Sequence, residues 1–194
     1  MSSVVISGDT SGAVTLAVPA VAGTNTITVP AVTGTMLTTA SSGQIIPKAA
    51  LPTGSVLQVV NATTSTEIST TSTSFISTGF SATITPTSAT SKILIFGDFG
   101  DVGTLSSAGS QNGVSIYLAR NGSQIGANLA SQWCYSNTGS SYLINSGNIS
   151  YIDSPASTSA LTYLFYYRVK GANVTGSLFR DGTQGTLTLM EIAA

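Results

Sequence analysis

From Ser55 onward this sequence is punctuated like a chain of β-strands. Branched and aromatic residues alternate with Ser and Thr in SVLQVV (55–60), SFISTGFSATITP (74–86), SKILIFGDF (91–99) and GVSIYLARNGSQIG (113–126), and again through residues 140–153 and 160–192. No segment sustains the i, i+3, i+4, i+7 spacing of an amphipathic helix between caps. Turn residues fall between the runs. Asn121-Gly122 supplies the two positive φ values of a type I′ hairpin. Ser146-Gly147 predicts a second hairpin inside SSYLINSGNISYID, and Gly171-Ala172-Asn173 and Asp181-Gly182 predict two further turns. Some eight to ten strands follow, which predicts an all-β sandwich or jelly roll over residues 54–194.

The alternation also assigns faces. In KILIFGDF one face carries Ile93 and Ile95 and the other Leu94 and Phe96. YLFYYRV (163–169) is apolar on both faces in the same way and contributes Leu164 and Tyr166. A monomeric sandwich would leave one of these faces as a large apolar patch, which soluble monomers avoid. Ile93, Ile95, Leu164 and Tyr166 are therefore the candidate core or trimer-interface positions.

Charge points the same way. Only 7% of the 194 residues are charged, and the formal net charge is −1. Copies of such a chain repel one another little. The six Lys and Arg are scattered, so a groove for a phosphate backbone is not expected and nucleic acid is excluded as a partner. There is no His, which removes the commonest general base and metal ligand, and the single Cys134 allows neither an internal disulfide nor a Cys-based zinc site. No cofactor is expected. The first residues lack the basic run of a secretory leader, and the uncharged run Thr10–Pro47 is too rich in Thr, Ser, Gly and Pro for a membrane helix, so no membrane insertion is expected.

The first forty residues have a different texture. VTLAVPAVAGT (14–24) is followed by NTITVPAVTGT (25–35), a tandem repeat with a period of 11. VTLAV and TITV read as short strands, each ended by a Pro. Strands this short have unpaired edges and no core of their own. The expected partners are other copies of the chain, intertwined about a common axis; a single-chain β-hairpin folded on the second domain is the alternative. Residues 1–40 are thus a β-repeat segment, residues 41–53, with Pro47 and Pro52, a linker, and residues 54–194 the β domain.

Several phrases resemble a known family. GSVLQVV, STSFISTGFSATITPTSATSKILI, SYIDSPASTSALTYLFYYRV and GTLTLMEIA together resemble a C-terminal domain of bacteriophage fibre proteins, particularly those of marine and cyanobacterial phages. SGDTSGAVTLAVPAVAGTNTITVPAVTGTMLTTAS resembles the repeat stretch that often precedes it. The resemblance covers most of residues 6–194. It implies a homotrimer on the virion, with a proximal anchoring segment that contacts other virion proteins and a distal β-rich head of jelly-roll type.

Catalysis finds little support. Asp98 and Asp101 in GDFGD, with Asp181 in RDG, are the only carboxylates a glycan-cleaving site could draw on, and such a site needs two carboxylates about 5–9.5 Å apart across a sugar. Beside glycines they read instead as turn residues that bond their own backbone. A calcium site needs six to eight oxygen ligands, and none is expected. No catalytic residue and no metal site is assigned. Binding has a better candidate. ASQWCYSNTGSSY (130–142) sets Trp133, Tyr135 and Tyr142 among amides and hydroxyls, a chemistry that suits a sugar ring. Packing of Trp133 and Tyr135 in a core or trimer interface is the structural alternative. The low charge favours a neutral glycan. The expected function is host-surface adhesion by a short virion fibre; capsid decoration or stabilisation without a receptor is the alternative.

Overall fold

The computed structural model describes residues 3–7, 13–17, 51–106, 111–131, 134–135 and 141–194, with side chains described over 51–105, 113–126 and 144–194. The chain falls into two compact units, residues 1–45 and 46–194. In the first, β1 (Ser3–Ser7) and β2 (Ala13–Ala17) form an antiparallel hairpin, with Val5 opposite Thr15. VTLAV therefore pairs along one edge with SVVIS of its own chain rather than only with copies. An apolar run lies on each side of the turn residues Gly8-Asp9, so the nearest strand partner is the preceding segment. TITV lies outside the described residues.

The second unit is a two-sheet sandwich. Its strands are β3 (Val56–Thr64), β4 (Ile68–Thr70), β5 (Ile76–Ile84), β6 (Lys92–Ser106), β7 (Gln111–Asn112), β8 (Val114–Arg120), β9 (Ser123–Ser131), β10 (Cys134–Tyr135), β11 (Ser141–Asp153), β12 (Leu161–Val169), β13 (Val174–Leu178) and β14 (Gly185–Ile192). One sheet runs β5-β12-β8-β9. In the other, the 15-residue β6 pairs with β11 on one side and with β14 and then β13 on the other. β3 and β4 lie outside β14 and β13. β3 with β4, and β13 with β14, are thus two interrupted strands. Counted so, eight strand positions form sheets in the order 1-8-3-6 and 2-7-4-5, all antiparallel, which is the double Greek key of a jelly roll.

Two expected turns take a different form. SSYLINSGNISYID is one continuous strand, β11, with a register shift between Ser146 and Asn148. Phe99 and Gly100 of β6 face the single Gly147 there, so the extra residue of the bulge lies on β6, with Gly100 at φ 56. Likewise Asp181 (φ 53) and Gly182 (φ 75) do not reverse the chain. They sit in a 3-10 turn, Arg180–Gly182, that offsets β14 from β13 along the same neighbour. Asn121 (φ 50) and Gly122 (φ 81) do make the tight turn between β8 and β9, closing Arg120 on Ser123.

The core lies between the sheets. Ile93, Ile95, Phe99, Leu187 and Leu189 project from one side and Ile116, Leu118, Tyr163, Phe165 and Tyr167 from the other, all essentially inaccessible. The alternation in β12 is complete, with every second residue buried from Leu161 to Val169. Two glycines admit the large rings. A Cβ on Gly97 would meet Phe165 Cζ at 2.6 Å, and one on Gly185 would meet Phe179 Cε1 at 2.2 Å.

Gly97→Ala is expected to destabilise the domain by about 1–3 kcal/mol, because the added methyl must displace a ring held on all sides. Denaturant unfolding at unchanged slope reads this directly; a midpoint equal to wild type would mean the sheets are not held this closely.

Candidate functional site

The sandwich has two ends of different character. At one, the chain enters: Gly54 N–H donates to the Ala193 carbonyl at 2.8 Å and Ala193 N–H to the Ser55 carbonyl at 2.9 Å. Here Lys92 faces Ile192, and Asp153 faces Ile93. At the other end four connections gather. Ser106 of β6 faces Ser141 and Val174, and Val114 faces Val169. Thr70, Ser106, Ser131 and Val169, the last residues of β4, β6, β9 and β12, therefore all lie at this end, away from chain entry.

The nominated binding residues map to the loop end by register. Tyr135, in β10, pairs with Gln111 of β7. Tyr142 opens β11 opposite Leu105. Trp133 lies outside the described residues. Ile93 and Ile95 are fully buried in the core. Leu164 and Tyr166 are half-buried on the outer face of the sheet that contains β12.

That outer face carries an aromatic cluster that sequence analysis did not assemble. Tyr166 faces Tyr117 of β8, and their rings stack at 5.0 Å with 10° between planes. Phe75, just before β5, meets Tyr117 edge-on at 4.5 Å. The Arg168 guanidinium lies 4.7 Å from the centre of the Phe75 ring. Burial, with the nearby Tyr166, raises the pKa of Tyr117, so its hydroxyl stays protonated at neutral pH. The alternation in YLFYYRV puts Tyr166 and Arg168 on one face. The partners Tyr117 and Phe75 come from distant segments, and only the strand register brings them in.

The outer face of the other sheet is apolar along one row. Val59, Met190, Leu94 and Ile152 are direct neighbours across all four strand positions. Val59 is 55% and Ile152 60% exposed, with Phe96 beside them at 43%. The next rows, Asn61-Thr188-Phe96-Ser150 and Thr63-Thr186-Asp98-Asn148, turn progressively polar. An apolar strip with a polar margin is the anatomy of a protein interface.

The carboxylates have structural partners. Asp98 accepts the Gly100 N–H at 2.8 Å, the local backbone bond of a turn residue. Asp153 ties the two sheets together, accepting from Arg120 Nη1 and from the Tyr163 hydroxyl, both at 2.7 Å. Burial and that bond raise the Tyr163 pKa far above the usual tyrosine range. Glu191 is wholly buried. Its Oε1 accepts from the Thr87 N–H, the Thr87 hydroxyl and the Ser91 hydroxyl, each at 2.7 Å, and its Oε2 from Gln58 at 2.6 Å. These donors close the floor of a cavity of about 450 Å³ at the chain-entry end. Among the described residues no group of three His, Cys, Asp or Glu could hold a metal, and no helix is long and apolar enough to cross a membrane.

No family model matches the chain, and no curated protein matches it in sequence. Solved structures superpose on it distantly. The infectious bursal disease virus VP2 subviral particle is 18% identical over 71% of this chain, with a TM-score of 0.33. The infectious bursal disease virus Gt strain structure is 17% identical over 97% of this chain, with a TM-score of 0.37. The matches span 37% and 46% of those chains, less than half their length.

Glu191 gives a pH signature. Burial alone would raise its pKa, but the donors from Thr87, Ser91 and Gln58 outweigh that and hold it below the ordinary 4.5. A depressed carboxylate stabilises the fold above its unfolded pKa, and the gain is lost as pH falls through the lower folded value. Glu191→Gln should cost about 1–3 kcal/mol at pH 7, from mispaired buried donors. The gap from wild type should narrow as pH falls below 4.5 in thermal melts. A gap independent of pH would show that Glu191 is not ionised in the fold.

Proposed function

We propose that this protein is a non-enzymatic virion structural protein. In this reading it is a short homotrimeric fibre held to the particle through residues 1–40, and it adheres to a host surface through the loop end of its jelly-roll head. The observation that carries the reading is the division of labour over the sandwich. One sheet offers a chargeless apolar row suited to another copy, while four connections and an aromatic cluster gather away from chain entry. Loops on a rigid β scaffold are the usual place for recognition. The resemblance of both segments to phage fibre sequences supplies the setting. Asp98 is engaged in a turn, Asp153 in a sheet-to-sheet tie and Glu191 in a buried cradle, so none of these three is poised as an acid–base group for glycan cleavage.

Self-association has a direct test. Light scattering should give wild-type protein at three times the chain mass of 19.6 kDa. Leu94→Glu with Ile152→Glu, both on the apolar row, should give a folded monomer, since a carboxylate in that row cannot be desolvated without a partner. Wild type running as a monomer would contradict the trimer, and an unchanged trimer in the double variant would move the interface elsewhere. Adhesion is read separately. Purified trimer should compete with intact particles for host cells. Protein that coats particles yet never competes is a decoration protein, the alternative role.

A further inference from the structure

Two cations lie at the loop end of β12. Arg168 and Lys170 are two of the chain's six basic residues; partial burial, with the nearby Arg168 charge, lowers the Lys170 pKa. Arg168 is poorly supplied with acceptors. Its Nη1 reaches the Thr73 carbonyl only at 3.4 Å, and its enclosed Nε N–H has no hydrogen-bond partner. A buried donor left unpaired is costly, and native structures rarely keep one without a use. The Phe75 ring holds the guanidinium from one side. Two residues back, Tyr166 stacks on Tyr117, and its other neighbour across the strands is Ser77, an exposed residue too small to cover a ring. Thr73, Ser74 and Ser77 add exposed hydroxyls around the same edge.

We propose that this end of β12 is a binding site for a carboxylate-bearing saccharide, with the carboxylate on Arg168 and Lys170 and the sugar ring against Tyr166. The guanidinium fork matches a carboxylate in shape and charge. The CH face of a pyranose suits an aromatic ring, and the Ser and Thr hydroxyls suit its hydroxyl groups. Two cations without a basic track do not make a nucleic-acid groove. The site names the ligand class for the adhesive end proposed above and rests on that reading. It replaces the neutral glycan that composition favours with an acidic one, because two cations, Arg168 and Lys170, sit two residues apart at this end of β12.

The experiment titrates assembled wild-type protein with oligosaccharides carrying galacturonate, glucuronate or sialate, each beside its methyl ester, by calorimetry and saturation-transfer NMR. At least one acid should bind with a Kd of about 0.1–1 mM, the range of one charged pair and one stacked ring. Its ester should bind about tenfold or more weakly, and the affinity should fall as salt rises. Arg168→Gln and Lys170→Gln should each erase much of the preference for acid over ester. Tyr166→Ala should weaken acid and ester alike. The comparison of acid with ester needs no variant, so a folding defect in Arg168→Gln cannot obscure the result. Equal binding of acid and ester overturns the site, as does an acid preference that survives both cation substitutions. Binding of none of the panel also overturns it. In each of these cases, if wild-type protein still competes for host cells, adhesion stands with another ligand; if competition fails too, the adhesion reading falls with it.

Discussion

Four phenylalanines hold the two sheets together. Phe99 lies edge-on to Phe165 at 4.8 Å across the sandwich, and Phe80 lies edge-on to Phe179 at 5.2 Å. Wider contacts of 6.3 and 6.2 Å join Phe80 to Phe165 and Phe99 to Phe179 and close the ring. Two rings come from each sheet, so the cycle sets both the spacing and the registration of the layers. It also explains the irregularities around it. Gly97 and Gly185 are bare because rings occupy the space of their side chains. Phe179 takes a left-handed backbone, φ 58, at the point where the chain steps from β13 to β14. That offset keeps the long β6 paired along both edges, and the sheets can then carry loops and faces whose positions do not drift.

With so few charges, polar ties in this domain are individually placed. Asp153 joins β11 to β8 and β12 at the chain-entry end, and Glu191 gathers β3 and the 87–91 connection onto β14. Glu191 has both oxygens hydrogen-bonded, and Asp153 meets Arg120 and Tyr163 through Oδ2, so each buried charge faces donors, the condition under which burying a charge is tolerated. Both lie at the end where the chain enters. The loop end has no counterpart among the described residues, and its Arg168 keeps an unmet donor. A stiffened base and a less satisfied tip are what a head that grips its own assembly and samples a surface requires.

Local chemistry was legible in the sequence and long-range register was not. Period-two alternation located β5, β6, β8, β9 and β12, and Asn121-Gly122 located a hairpin, because those signals are carried by adjacent residues. The Ser146-Gly147 and Asp181-Gly182 pairs misled, since a glycine that turns a chain and one that faces a bulge look alike until the facing strand is known. The same limit governs the site. YLFYYRV showed that Tyr166 shares a face with Arg168, but nothing local says that Tyr117 and Phe75 complete the cluster. The apolar row of Val59, Met190, Leu94 and Ile152 draws one residue from each of four distant segments. Glu191 carries no local signal in TLTLMEI, because Gln58, Thr87 and Ser91 converge on it from distant segments.

The most direct test of the account is a cryo-EM structure of the purified, assembled protein. It should show three copies in contact through the outer face of the sheet built on β6, with Val59, Leu94, Met190 and Ile152 buried between them, and with Tyr166, Arg168 and the 132–140 segment open to solvent. An assembly that buries the Arg168 end, or leaves the apolar row facing water, would contradict it.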